Sequence, residues 1–218
     1  MLLEKNAKLV IIGDSVTDCG RARPVGEGLF GAIGTGYANF VNGLLDTAYT
    51  SRKIRVVNMG SSGNTVKDLE DRWQTDVLDL KPDWLSILIG INDVWRQFDS
   101  PLQTETHVLP AEYADRLERL VARTKPLLKG LVLMTPYYME PNRDDPMRKT
   151  MDQYGAIVKE IATRHGTYFV DTQAAFDAYF KEYHPNNLAW DRIHPNHIGH
   201  MLLAREFLKA VEFDWKGE

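Results

Sequence analysis

Two short stretches far apart in the chain carry residue types that can move an acyl group: Gly13-Asp14-Ser15 and Asp191-Arg192-Ile193-His194. Acyl transfer needs a nucleophile, a base to take its proton, a group to orient that base, and donors for the oxyanion that develops. Ser15 follows an apolar run where the chain must turn, so its hydroxyl is expected at the rim of a sheet. His194 is the candidate base and, afterwards, the acid toward the leaving alcohol. Asp191, three residues earlier, can bond the other imidazole nitrogen within one turn, and Pro195-Asn196 reads as the start of a helix that anchors this loop. Two further clusters lie between, Gly60-Ser61-Ser62-Gly63-Asn64 and Gly90-Ile91-Asn92-Asp93. The backbone N–H groups of Ser15 and Gly63 and the side-chain amide of Asn92 are the candidate oxyanion donors. Glycine suits position 63 because a side chain there would obstruct the substrate carbonyl, and the Asn92 amide is a donor that does not titrate. Asp14 and Asn64 are expected to hold the Ser15 loop and the oxyanion loop through backbone hydrogen bonds. A histidine base predicts a rate that falls below about pH 6, as an ordinary imidazole protonates.

Taken singly these motifs are common. A Gly-Asp-Ser after a strand is more often a turn or a helix cap, and Asp-x-x-His more often surface polarity or capping. Their appearance together, in order and after successive strands, favours a site. Around it, Trp95 and Trp190 are candidate aromatic walls against a sugar ring or a narrow acyl pocket, with core packing the competing reading. Arg96 is a candidate for sugar hydroxyls or for an internal carboxylate, and Tyr137-Tyr138 lies on the same rim. His194, His197 and His200 recur every three residues. Helical metal sites pair i with i+4 more often, and no carboxylate or cysteine set completes this one, so no metal is expected. Cys19 reads as a small buried residue rather than a nucleophile. Arg21, Arg23 and Arg55 do not make a phosphate site, because Gly31-Ala32-Ile33-Gly34-Thr35-Gly36 has neither the lysine nor the preceding strand of a phosphate loop. No cofactor is expected.

The elements that must position these residues alternate. Apolar runs at Lys8–Ile12, Ile54–Met59, Trp84–Ile89, Leu131–Thr135 and Thr167–Asp171 read as strands buried on both faces. Helical periodicity falls at Tyr37–Thr47, Val66–Leu80, Ala111–Thr124, Asp145–Arg164 (weakened by Gly155), Gln173–Lys181 and His197–Glu212. This is the βαβ pattern of a parallel sheet covered on both sides, an α/β fold in a single domain over residues 1–218. Two long connections, Thr17–Gly36 and Phe98–Pro110, are expected to serve function, or in the second case a subunit contact. Ligands of open α/β sheets bind beyond the carboxyl ends of the strands, and every polar cluster above falls there.

Composition excludes several classes. With 218 residues, 44% hydrophobic and 26% charged, the chain is an ordinary globular one. A net charge of -4 without basic blocks gives no reason to expect nucleic acid. No apolar run approaches the roughly 20 residues of a membrane span. One cysteine makes no intrachain disulfide, and the charged start of the chain does not resemble a secretion signal, so a cytoplasmic protein is expected. Phe213-Asp214-Trp215, beyond the last helix, is either a subunit contact or packed back on the domain.

The four clusters, Gly13-Asp14-Ser15, Asn58-Met59-Gly60-Ser61-Ser62-Gly63-Asn64-Thr65, Gly90-Ile91-Asn92-Asp93 and Asp191-Arg192-Ile193-His194-Pro195, resemble the four blocks of the SGNH (GDSL-type) hydrolases, which carry in turn a Ser, a Gly, an Asn and a His. The resemblance covers nearly the whole chain. It implies a three-layer α/β/α sandwich with a five-stranded parallel sheet of flavodoxin-like type, and metal-free ester hydrolysis through an acyl-enzyme. Three longer segments, 18–24, 90–97 and 145–155, are similar to those of the bacterial SGNH acetyl xylan esterases. That likeness implies an intracellular homo-oligomer taking a small acetylated saccharide. A different short-chain ester, as in a lysophospholipase or thioesterase, remains open, as does a catalytically silent carbohydrate-binding protein.

Overall fold

Continuous apolar runs become strands only where both faces are covered, and here five of them pair in parallel in the order β2-β1-β3-β4-β5. The computed structural model describes residues 1–217. Its strands are β1 (Lys8–Gly13), β2 (Arg55–Gly60), β3 (Trp84–Leu88), β4 (Gly130–Met134) and β5 (Tyr168–Val170). The helices are α1 (Ser15–Asp18), α2 (Tyr37–Ala48), α3 (Val66–Asp71), α4 (Ile91–Asp99), α5 (Pro110–Thr124), α6 (Pro146–His165), α7 (Thr172–Tyr179) and α8 (His197–Ala210). α2, α8 and α7 pack together in one layer, and α3, α5 and α6 in the other. The expected three-layer flavodoxin-like arrangement is therefore present. No helix among the described residues is long and apolar enough to cross a membrane.

Topology decides where a site forms. From β1 the chain moves to β2 on one side, then crosses back to β3 on the other. The order reverses between β1 and β3, and a crevice opens there beyond the strand ends. Ser15 follows β1, and Asn92 opens the helix after β3. Gly60, at the end of β2, must be glycine: a Cβ there would lie 2.2 Å from the Asp18 nitrogen of α1. That close approach seats the turn carrying Ser15 directly on the sheet.

The strands lie within a residue or two of the expected runs, while three expectations change. Ser15 is not in a loop but opens the short helix α1, whose N-cap Asp14 accepts from Val16 N–H. Ile91–Asp99 is a helix, so the long connection after it starts only at Ser100 and includes one tight turn at Thr104–Thr106. The helix expected at Val66–Leu80 breaks after Asp71 and resumes as a widened π turn over Gln74–Leu78. Trp73 lies in the break, fully buried, with its indole N–H donating to Thr124 Oγ1 at 2.9 Å. Gly155 does not interrupt α6.

Candidate active site

Asp14 caps α1, and the turn it fixes aims Ser15 Oγ at His194 Nε2, 2.8 Å away. His194 Nδ1 lies 2.6 Å from Asp191 Oδ2. An ionised carboxylate only accepts, so Nδ1 carries the imidazole proton and Nε2 is free to accept from the serine hydroxyl. The other Asp191 oxygen accepts from the N–H groups of Ile193 (3.0 Å) and His194 (2.9 Å). Burial raises the Asp191 carboxyl, but the imidazole and these two N–H groups more than offset it and hold it below the usual carboxylate range. Asp191 thus stays charged and keeps the ring in the tautomer a base requires.

The loop bearing Asp191 and His194 is held against strain. Arg192 sits in the left-handed region at φ 61, which costs a non-glycine residue about 1 kcal/mol or more. Its carbonyl accepts from Met139 N–H at 3.0 Å and its guanidinium pairs with Glu140. The buried Tyr137 hydroxyl donates to Ile193 O at 3.0 Å, and Asn196 caps α8 just beyond. Tyr137 therefore supports the loop from behind, while the Tyr138 N–H donates to Gln173.

Ser15, Gly63, Asn92 and His194 line one cleft, with Cys19, Gly20, Ser62, Trp95 and Arg96. Gly63 lies at φ 82 with nothing within 4 Å of where a Cβ would stand. The backbone conformation asks for glycine at this position, and the space above it belongs to the cleft. Asn92 is almost wholly buried, donates one amide hydrogen to Asn64 O (2.9 Å) and accepts from Arg96 at its oxygen (3.2 Å). Its second amide hydrogen has no hydrogen-bond partner among the described residues. Asp93 beside it accepts from Val66 N–H at 3.0 Å, tying the start of α4 to the start of α3. Burial pushes Asp14 up to about 7 and Asp93 up to about 8.

The remaining candidates separate. Trp95 sets its ring edge to face with His194, centroids 5.8 Å apart, and Arg96 stacks over Trp95 while pairing with Asp99. Trp190 is 88% exposed, on the same loop as Asp191 and His194. His200 is buried, accepts from Tyr37 N–H at Nδ1 (3.2 Å) and faces Cys19 Sγ at Nε2 (3.3 Å); burial lowers it to about 4. Cys19 lines the cleft, only part-buried, yet burial pushes its thiol up to about 11, which leaves it a poor nucleophile. Arg21 bonds the carbonyls of Gly60, Ala22 and Pro24, Arg23 pairs with Asp18 and Arg55 with Glu27, so all three serve internal contacts.

Two supports escaped the sequence reading. Asp18 accepts from both the N–H (3.0 Å) and the hydroxyl (2.8 Å) of Ser62, joining the helix of the nucleophile to the loop of Gly63. Arg72, from the break after α3, reaches the same region. Neither has a local spacing that marks it.

Residues 11–202 match the GDSL-like lipase/acylhydrolase family. Over 215 residues, 99% of this chain and 98% of the relative, the sequence is 59% identical to an acetylxylan esterase of Geobacillus stearothermophilus. The crystal structure of Axe2, an acetylxylan esterase from that organism, superposes with a TM-score of 0.97 at 59% identity, covering 99% of this chain and 98% of that one. Structures of catalytic mutants of Axe2 at the same numbered positions, S15A, D191A and H194A, superpose with TM-scores of 0.98 at 57% to 58% identity over at least 99% of this chain and 98% of theirs.

Proposed function

The chain belongs to the GDSL-like lipase/acylhydrolase family and is a carboxylic ester hydrolase; we propose that its ester is the acetyl group of acetylated xylo-oligosaccharides. The observation that carries the chemistry is the unbroken relay from Ser15 Oγ through His194 to Asp191, opening on the cleft of Gly63 and Asn92. In this reading His194 Nε2 takes the proton as Ser15 Oγ attacks the acetyl carbonyl. The Ser15 and Gly63 N–H groups and the free Asn92 amide hydrogen receive the oxyanion. Collapse expels the sugar hydroxyl, protonated by His194. Water then attacks the acetyl-enzyme with His194 again as base, releasing acetate and restoring Ser15.

Two features support a sugar over a lipid. The relative's acetylxylan esterase activity comes with 59% identity along almost the full chain. Beside the cleft, and sharing Gly63 and Arg96 with it, runs a groove lined by Thr65, Lys67, Gln103, Glu105 and His107. A row of charged and amide side chains suits the hydroxyl groups of a sugar. The reading includes a homo-oligomer in the cytoplasm: Trp190 and Trp215, 88% and 57% exposed, supply apolar surface for a subunit contact, and a lone cysteine asks for no oxidising compartment.

The test is acyl-length preference together with active-site labelling. Acetyl esters should be turned over far faster than octanoyl esters of the same alcohol, and a fluorophosphonate should label Ser15 once per chain. Preference for octanoate would favour a lipase, and a folded protein that resists labelling would favour a silent binding module.

A further inference from the structure

Arg72 stands outside the four sequence clusters, yet its guanidinium meets the segments that carry them. Nε donates to Asn64 Oδ1 at 2.6 Å, one terminal nitrogen donates to Met59 O and to Asp76, each at 2.7 Å, and the other to Gly13 O at 2.9 Å. Gly13 lies two residues before Ser15, and its carbonyl also accepts from Ser61 N–H at 3.0 Å. Asn64 follows Gly63, and its own carbonyl is the acceptor for the Asn92 amide at 2.9 Å. Each candidate oxyanion donor is therefore one or two residues, or one hydrogen bond, from a residue that Arg72 holds.

We propose that Arg72 is a positioning residue for the oxyanion hole: it fixes the distances among the Ser15 turn, the Gly63 loop and the Asn92 amide. The proposal rests on the serine-esterase reading of that site. Guanidinium geometry suits the task, because its five N–H groups form a rigid planar fork, and four are engaged here. The three donors of a lysine ammonium radiate from one atom and cannot span two strand ends and a loop at once. The position is built for it. α3 stops at Asp71 and a π turn follows from Gln74, and such widened turns recur at functional sites. Asp76, on that turn, pairs with the guanidinium while its side chain and that of Arg72 remain 19% and 17% exposed. The ion pair thus neutralises the charge without taking the three bonds that reach the site.

A purely structural tie between β1 and β2 would lower stability and leave the folded enzyme at full rate. A positioning role lowers kcat. Arg72→Met and Arg72→Lys, assayed on an acetyl ester as folded protein, should lose about 100-fold in kcat, the effect of misplacing one oxyanion donor, with KM little changed. The pH profile should stay where the unaltered enzyme has it, because the Asp191–His194 pair is untouched. Asn64→Ala should show a similar loss, and the Arg72→Met/Asn64→Ala double variant should be no worse than the weaker single one, since both break the same link. Folded Arg72 variants with kcat within about three-fold of the unaltered enzyme, a loss carried in KM alone, or additive losses in the double variant would each overturn the proposal. Should Arg72→Met fail to fold, Arg72→Lys, which keeps a cation beside Asp76, carries the same test. An unaltered enzyme that neither releases acetate nor labels at Ser15 would instead sink the esterase reading.

Discussion

At the scale of the residue, the site depends on which nitrogen of His194 holds the proton, and that is decided by Asp191. Its Oδ2 accepts the hydrogen bond from Nδ1–H while two backbone N–H groups fill Oδ1 and fix the carboxylate in place. Asp191→Asn preserves the shape and the backbone bonds but presents an amide that can donate to Nδ1. The imidazole then carries its proton on Nε2 and cannot accept from Ser15. A loss of about 10^4-fold in kcat, with KM little changed, is the expected result, read from steady-state kinetics on an acetyl ester. Near-normal kcat in the amide variant would mean that Asp191 does not set the tautomer. The neighbouring histidines divide by environment: His200 is buried against Tyr37 and Cys19 and stays neutral, while His194 stands open to the cleft.

At the scale of the element, short caps and buried carboxyls join the four loops. Thr65 and Asp68 form a reciprocal capping box at the start of α3, Asp14 caps α1, and Asp93 spans from α4 to the α3 N-terminus. Asp93 has its carboxyl pushed up to about 8 by burial, so the folded protein holds a proton that the unfolded chain releases near pH 4. Its contribution to stability is complete below that pH and is lost as the pH rises through about 8. Asp93→Asn removes this titration and can still accept from Val66. The urea midpoint of the variant, relative to the unaltered protein, should therefore rise between about pH 5 and about pH 8, by at most about 1.4 kcal/mol per pH unit. A difference that stays flat over that range contradicts a raised carboxyl at this position.

The same scale shows why some elements were legible and others were not. Strands buried on both faces announce themselves as apolar runs, and β1 to β4 fall within a residue of theirs. α4 did not, because five of its nine residues are polar and its first turn holds the motif residues Asn92 and Asp93. The π turn was hidden by regularity: Val66, Leu69, Trp73 and Val77 are all fully buried at spacings that read as one unbroken helix. Ser15, Asp191 and His194 are legible because the motif around each is local in sequence, and the same local reading offers Gly63 and Asn92 as candidate oxyanion donors. Arg72 and Asp18 act on residues 59 and 44 positions away in sequence, and no spacing encodes such links. Trp190, next to Asp191 in sequence, is 88% exposed, and adjacency alone does not encode where its ring lies.

At the scale of the whole molecule, the reversal of strand order between β1 and β3 gathers Ser15, Gly63 and Asn92 at one rim, and the loop before α8 brings His194 to it from the far end of the chain. A groove lined by Thr65, Lys67, Gln103 and Glu105 continues past Gly63 and Arg96 from this rim, and it is there that the proposed oligosaccharide would extend. Acetate release from acetylated xylo-oligosaccharides, measured for the unaltered protein and Ser15→Ala side by side, tests substrate and nucleophile together. Rapid release that the substitution reduces by about 10^4-fold or more is the expected result. No release from the oligosaccharides, or release that persists in the Ser15 variant, would contradict it.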